Sequence, residues 1–197
     1  MRTDETGYTE RLSRLESVWW KRWLDVQRPY RWNLKRLDLG RVLDVGCGTG
    51  RNLINLGGRG AGVGVDHNPT SVAAARARDL EAFLPDEFRA SPHAEGRRFD
   101  ALLLAHVLEH MPRAEAKELV ASYLRYVRPG GRAVFITPQE AGYRSDETHV
   151  EFTDLDALAD VARACGLAVE RRYSFPLPRA FGRVFTHNEF VLVARVP

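Results

Sequence analysis

The run Arg41-Val42-Leu43-Asp44-Val45-Gly46-Cys47-Gly48-Thr49-Gly50 decides the fold. An apolar strand runs straight into glycines spaced G-x-G-x-G, with an acid two residues before the first glycine. Gly46 and Gly48 lack the Cβ atoms that would hold a ligand off the backbone. The helix expected next, from about Thr49 to Leu56, would point its unpaired N–H groups and positive dipole end at that ligand. A second acid, Asp66, closes the next apolar run, Ala61-Gly62-Val63-Gly64-Val65. It stands twenty residues after Gly46, where a dinucleotide fold keeps its ribose-binding carboxylate. The glycines are not spaced G-x-G-x-x-G, and no phosphate loop ending in Gly-Lys-Ser/Thr is present. The pattern therefore implies a nucleoside ligand without a pyrophosphate.

Outward from this motif, strand and helix patterns alternate. Strands are expected near 41–45, 61–66, 80–83, 99–105 and 132–137, and helices near 49–58, 69–79, 113–127 and 154–165. Asn68-Pro69 reads as an N-cap followed by proline at the first helical position. Thr153 or Asp154 caps the helix that stops at Gly166. Strands near 167–175 and 188–195 complete a doubly wound, right-handed α/β sheet. Upstream, residues 8–37 read as helical through Leu12, Leu15, Trp19, Trp23 and Val26, with Pro29 expected to end or break the element. All four tryptophans, Trp19, Trp20, Trp23 and Trp32, precede the glycine motif.

A chain of 197 residues suits one decorated domain. No apolar run approaches the roughly 18 residues of a membrane helix, and a cytoplasmic protein is expected. Cys47 and Cys165 make no metal or redox spacing. The net charge of +3 is unevenly placed, with ten Lys/Arg against six Asp/Glu in residues 1–41. Arg171, Arg172, Arg179 and Arg183 follow one another with no acid among them. Such basic ends suit a solvated face, an anionic substrate or a membrane surface.

The motif and the acid after strand 2 resemble the class I S-adenosylmethionine (SAM) methyltransferases. Phe99-Asp100-Ala101-Leu102-Leu103-Leu104 matches their strand 4, Arg128-Pro129-Gly130-Gly131 the following turn, and Ala133-Val134-Phe135-Ile136 their strand 5. The resemblance implies a Rossmann-like, mostly parallel seven-stranded sheet whose last strand is antiparallel. It further implies a catalytic domain over 39–197 and an N-terminal helical cap or lid over 1–38. SAM would be the methyl donor and S-adenosylhomocysteine (SAH) the product. Asp66 is then expected on both ribose hydroxyls and His67 beside the adenine. Asp44 would meet the amino end of methionine, and Ala105 and His106 would offer backbone groups to that portion. Gly46, Cys47, Gly48 and Gly50 form the turn beneath. Adenine recognition is sought in Pro85-Asp86-Glu87-Phe88. Arg31 stands where similar quinone-biosynthesis O-methyltransferases place an arginine on the SAM carboxylate.

His106-Val107-Leu108-Glu109-His110 matches H-x-x-E-H, the inverted zinc-peptidase signature, which needs both histidines on one helical face. It also resembles the E-x-x-E-H segment of ubiquinone-type O-methyltransferases, with His106 in place of the first glutamate. Three readings follow. His106, Glu109 and His110, joined by His149, hold a divalent metal; His106 or His110 is a general base; or the histidines only pack after strand 4. Trp20, Trp23, Tyr143 and His149 are candidate acceptor contacts. The segment Ala105-His106-Val107-Leu108 lacks the Asn/Asp-Pro-Pro-aromatic motif of DNA amino-methyltransferases, so no nucleic-acid partner is expected. The expected activity is methylation of a small molecule at a hydroxyl, the acceptor being a natural product, lipid or glycoside. The interleaved Trp19, Trp20, Lys21, Arg22 and Trp23 suit peripheral contact with a membrane. Oligomeric state is not legible. The rival readings are an HxxEH metallohydrolase and a silent SAM/SAH-binding partner protein.

Overall fold

The structure, a computed structural model, describes residues 27–197. Its seven strands are β1 (Val42–Val45), β2 (Gly62–Val65), β3 (Ala82–Phe83), β4 (Phe99–Ala105), β5 (Val127–Pro138), β6 (Ala168–Phe175) and β7 (Glu189–Arg195). They lie in the order β3-β2-β1-β4-β5-β7-β6. β1 to β5 pair in parallel, and β7 runs antiparallel between β5 and β6. Every expected strand is present. The Arg128–Gly131 turn is absorbed into β5 as an irregularity, with the register shifting opposite Phe99 and Ala101.

The helices are α1 (Arg28–Lys35), α2 (Arg51–Leu56), α3 (Pro69–Arg76), α4 (Pro85–Ala90), α5 (Arg113–Leu124), α6 (Glu140–Arg144) and α7 (Leu155–Ala164). Asn68 caps α3 by accepting from the Thr70 and Ser71 amides, with Pro69 at the first position. Asp154 caps α7 in the same way through the Asp156 and Ala157 amides. Gly57, at φ 143°, ends α2 after six residues, shorter than its pattern suggested. Pro29 lies in the first turn of α1 and begins a helix, because proline's missing N–H has no partner to lose there. Leu12, Leu15, Trp19, Trp20, Trp23 and Val26 lie outside the described residues.

The central strands are covered on both faces, which is why they read as continuous apolar runs. Alternate residues supply two cores. Leu43, Leu102, Leu104 and Phe135 pack with Ala116 and Val120 of α5 and Leu158 and Val161 of α7. Val42, Leu103, Val134 and Val193 pack on the other side with Leu34 of α1 and Leu37 just beyond it. Each fully buried leucine contributes about 1.5–3 kcal/mol. α1 also packs against α2, the helix after the glycine turn. Topology thus brings Val45, Val65, Ala105 and Pro138 to one edge of the sheet, and the reversed β7 adds its first residue, Glu189, level with Pro138 and Phe175. No described helix is long and apolar enough to cross a membrane.

Candidate functional site

Gly46, Gly48 and Gly50 all take positive φ, at 76°, 53° and 86°. Their reasons differ. A Cβ on Gly46 would stand 2.3 Å from Val107 Cγ2, and one on Gly50 2.1 Å from Leu80 Cδ1, so these two glycines make room for neighbours within the fold. Only at Gly48 would a Cβ meet nothing within 4 Å. It is therefore the glycine that keeps backbone open to a ligand. α2 has only six residues, too short for a helix dipole to matter there, and the Gly46, Cys47, Gly48 and Gly50 amides are taken by the Val65 carbonyl, Asp66 and the Cys47 carbonyl, so what opens at Gly48 is space. The Cys47 side chain points into a small core with Leu53, Val72 and Ala75, leaving only its backbone to the turn.

Asp66 follows β2 with 8% of its surface exposed. Its Oδ2 accepts from the Gly48 amide at 2.8 Å and its Oδ1 from the Asn68 amide at 2.9 Å. Each oxygen keeps a further lone pair for a hydroxyl donor. His67 is more than half exposed, with Nδ1 3.8 Å from Asp66 Oδ1. Asp44 is wholly buried, and neither carboxylate oxygen has a hydrogen-bond partner. Burial pushes its carboxyl up to about 7; Asn52 nearby tempers the rise without meeting hydrogen-bond geometry, Asp66 adds to it and Arg51 opposes it. A bare buried carboxylate of this kind fits a cationic ligand group. Arg31 lies on α1, where Arg28, Trp32, Lys35 and Arg36 join it around a surface concavity. Phe88, sought as an adenine contact, is instead fully buried on α4 against Phe99, Tyr123 and Tyr126.

At the other end of this edge the chain turns sharply. His106 takes φ 60°, a left-handed conformation that costs a non-glycine residue about 1–2 kcal/mol. A short 3-10 turn, Leu108–His110, follows. The segment is no α-helix, so His106 and His110 do not share a helical face and the inverted zinc-peptidase reading fails. His106 Nε2 meets Glu189 Oε1 at 2.9 Å, and its Nδ1 lies 3.3 Å from Glu109 Oε1. Burial alone would lower its pKa, but bonds to Glu109 and Glu189 outweigh that and hold the ring as a cation. Burial, helped by Glu189, pushes the phenol of Tyr30 upward while Arg51 opposes; the Tyr30 hydroxyl donates to the His187 carbonyl. Sequence reasoning missed Glu189 and Tyr30. Glu189 carries the signal that revealed Asp66, an acid at an apolar strand's end, but on a strand whose direction is reversed.

Glu109, His110 and His149 come together, each offering a ligand atom within 4.8 Å of the others. Glu109 is fully buried, with the His106 ring 3.3 Å from its Oε1 as an ion-pair partner. His110 Nδ1 lies 3.2 Å from both the carbonyl and the hydroxyl oxygen of Thr148. The carbonyl can only accept, and the hydroxyl spends its proton on Asp146 Oδ1. Nδ1 therefore carries the hydrogen and Nε2 the lone pair. His149 repeats the arrangement, donating from Nδ1 to the Tyr143 carbonyl at 2.7 Å. Tyr143 stacks on the His149 ring, which lies 4.8 Å from that of His110. This donor set fits a divalent ion, with His149 present and His106 turned toward Glu189. Trp20 and Trp23 lie outside the described residues.

Residues 22–172 match a family model described as a methyltransferase domain. The chain is 33% identical over 134 residues to ubiquinone biosynthesis O-methyltransferase of Pseudomonas fluorescens (strain SBW25), a stretch covering 60% of this chain and 57% of that one. Its counterpart in Chromobacterium violaceum is 31% identical over 144 residues, covering 65% and 61%. The matches thus span less than two thirds of these relatives' length. Among solved structures, magnesium protoporphyrin IX methyltransferase from Synechocystis PCC 6803 with bound SAH superposes with TM-score 0.66 at 15% identity, covering 99% of this chain and 96% of the other. A SAM-dependent methyltransferase from Archaeoglobus fulgidus gives 0.64 at 16% identity, covering 88% and 98%. At such identities these superpositions establish the fold.

Proposed function

Since the chain belongs to the methyltransferase-domain family, we propose that it moves a methyl group from SAM to a hydroxyl of a small molecule. One observation carries the donor site: two acids at the ends of neighbouring strands flank a glycine turn that opens at Gly48. Asp66, braced by the Gly48 and Asn68 amides, receives the two ribose hydroxyls on its remaining lone pairs. Asp44, buried and without a hydrogen-bond partner, pairs with the ammonium of the methionine portion. The exposed His67 borders the adenine.

SAM supplies a methyl on a sulfonium, already a good leaving group. The protein's work is to align the acceptor, exclude water and take up the hydroxyl proton. In the metal-free protein His110 Nε2 accepts that proton, its ring oriented by Thr148. His106 already carries a proton between two carboxylates, so it acts as a fixed positive charge. Tyr143 and His149 wall the acceptor, and the N-terminal segment with its tryptophans serves as the cap. Ubiquinone biosynthesis O-methyltransferases among the relatives support a hydroxyl acceptor. The exposed face of α1, with Arg28, Trp32, Lys35 and Arg36, suits a lipid-like acceptor presented at a membrane surface.

Calorimetric titration with SAM and SAH, beside Asp66→Asn, tests the reading. Micromolar binding that weakens at least about tenfold in the variant supports it. A folded wild-type protein that binds neither compound refutes it.

A further inference from the structure

We propose that α1 and the strand ends beside it form a binding site for a phosphate-type oxyanion, with the Arg36 guanidinium as its central donor. The group held there is a phosphate ester, whether free in solution or at the head of a lipid. The site lies outside the donor and acceptor positions described above and does not depend on them.

Arg36, just past the end of α1, is held in place by the fold itself. Its Nε donates to Asn33 Oδ1 at 3.0 Å, and the Tyr173 hydroxyl donates to the same oxygen at 2.9 Å. Asn33 is only 2% exposed, so the anchor is buried. The guanidinium carbon lies 4.6 Å from the centre of the Trp32 ring and 5.1 Å from that of Tyr173. Trp32 in turn stacks on Phe175, with ring centroids 6.4 Å apart. The Nε–H is thus spent on position, while the two terminal nitrogens make no hydrogen bond or ion pair among the described residues. Such a fork matches two oxygens of a phosphate, and orienting it beforehand reduces the entropy lost on binding.

The surroundings hold more positive charge than the fold consumes. Arg28, Arg31 and Lys35 share one concavity with Arg36, and Arg132, Arg171 and Arg195 share a second with it. Arg132 stands directly opposite Arg195 across β5 and β7, a costly pairing of like charges. Glu170 lies near both and serves as their common counter-ion. Asp38 is the one other acid that lines either concavity. Arg28, Lys35 and Arg171 are exposed and have no ion-pair partner among the described residues. Seven cations thus face two acids, a net of +5 on a chain whose total is +3, so the remainder of the molecule is net negative. A carboxylate would leave most of that charge uncompensated. A phosphate monoester brings up to two negative charges and a third oxygen for the flanking cations.

Binding of the anion itself is the test, on the full chain at low ionic strength. Calorimetry with inorganic phosphate is set beside the same titration with acetate. Flotation with phosphatidylcholine vesicles, with and without phosphatidic acid, reads the lipid source, and urea denaturation reports that each variant is folded. Phosphate is expected to bind at least about tenfold more tightly than acetate, or phosphatidic acid to recruit the protein to vesicles that otherwise leave it behind. Arg36→Lys keeps the charge and loses the fork, and should weaken binding at least about tenfold. Arg28→Gln removes a whole charge from the rim and should cost only about threefold. Binding of free phosphate identifies a soluble phosphate ester as the ligand, and binding confined to phosphatidic acid vesicles identifies a lipid headgroup. Either supports the site when Arg36→Lys removes it. Equal losses in Arg36→Lys and Arg28→Gln, the mark of a diffuse charged surface, overturn the assignment. So do an Arg36→Lys protein that binds like wild type, acetate that binds as well as phosphate, and a folded wild type that binds neither probe.

Discussion

Replacing Asp44 by asparagine should make the ligand-free protein more stable, and increasingly so as pH rises. A rise of the carboxyl's pKa from 3.8 to about 7 corresponds to a cost to the fold of about 4 kcal/mol once Asp44 is ionised in both states. A carboxyl with a raised folded pKa binds its proton more tightly in the native state. Stability from this group is therefore greatest below the unfolded pKa, declines as pH climbs from 3.8 toward 7, and levels off above. Between about pH 5 and about pH 8 the loss amounts to about 2–3 kcal/mol. The asparagine that replaces it has no such titration, and whatever its amide costs in packing does not vary with pH. The stability difference between Asp44→Asn and wild type, from urea denaturation at the two pH values, should widen by that amount. Other groups, His106 included, titrate alike in both proteins and cancel. SAH affinity should fall in the same variant, because its ammonium loses a carboxylate partner. A stability difference that stays flat across this pH range, or narrows, would show that Asp44 is not ionised against its burial.

The glycines separate fold from ligand. Gly62→Ala would set a Cβ 2.0 Å from the Val42 carbonyl oxygen, backbone against backbone, and should cost about 3 kcal/mol or prevent folding, read by denaturation. Gly48→Ala should cost only about 1 kcal/mol of left-handed strain while lowering SAH affinity about tenfold in calorimetry, since its methyl projects into the ligand's space. Equal effects of the two on stability would remove the distinction. Phe88→Ala should cost about 3–5 kcal/mol as a core truncation, whereas Phe88→Leu should leave SAH affinity within about twofold. A selective loss of binding in the leucine variant would return Phe88 to the adenine site.

The placement of the residues proposed for the donor end was largely legible because its signals are local. Asp44, the glycine turn and Asp66 fall within one β-α-β unit, where strand periodicity and glycine spacing place the acids at a sheet edge. Asn68-Pro69 and Asp154 likewise announce their helices through backbone chemistry next door. The acceptor end was not legible in this way. His-Val-Leu-Glu-His carries a helical spacing, yet His106 adopts φ 60° and the two histidines diverge. That reversal depends on partners 83 and 38 residues away, Glu189 and Thr148, which no local pattern reveals. Periodicity gives a strand's faces but not its direction, so Glu189 could not be assigned to the ligand edge. Pro85-Asp86-Glu87 carries the marks of a helix start, proline followed by acids, and the helix it opens turns Phe88 into the core and away from any ligand.

The insertion of β7 between β5 and β6 also ties the two ends of the site together in time. Everything that contacts the nucleoside end in this proposal belongs to residues 42–68, early in the chain. The carboxylate that grips His106 arrives only with Glu189, at the start of the last strand. Yet Leu43 shares its core with Leu192, and Val42 shares its core with Val193, both of that same strand. A growing chain therefore completes the packing beneath its nucleoside end only when the strand that brings Glu189 is in place, and the two ends mature in one cooperative step.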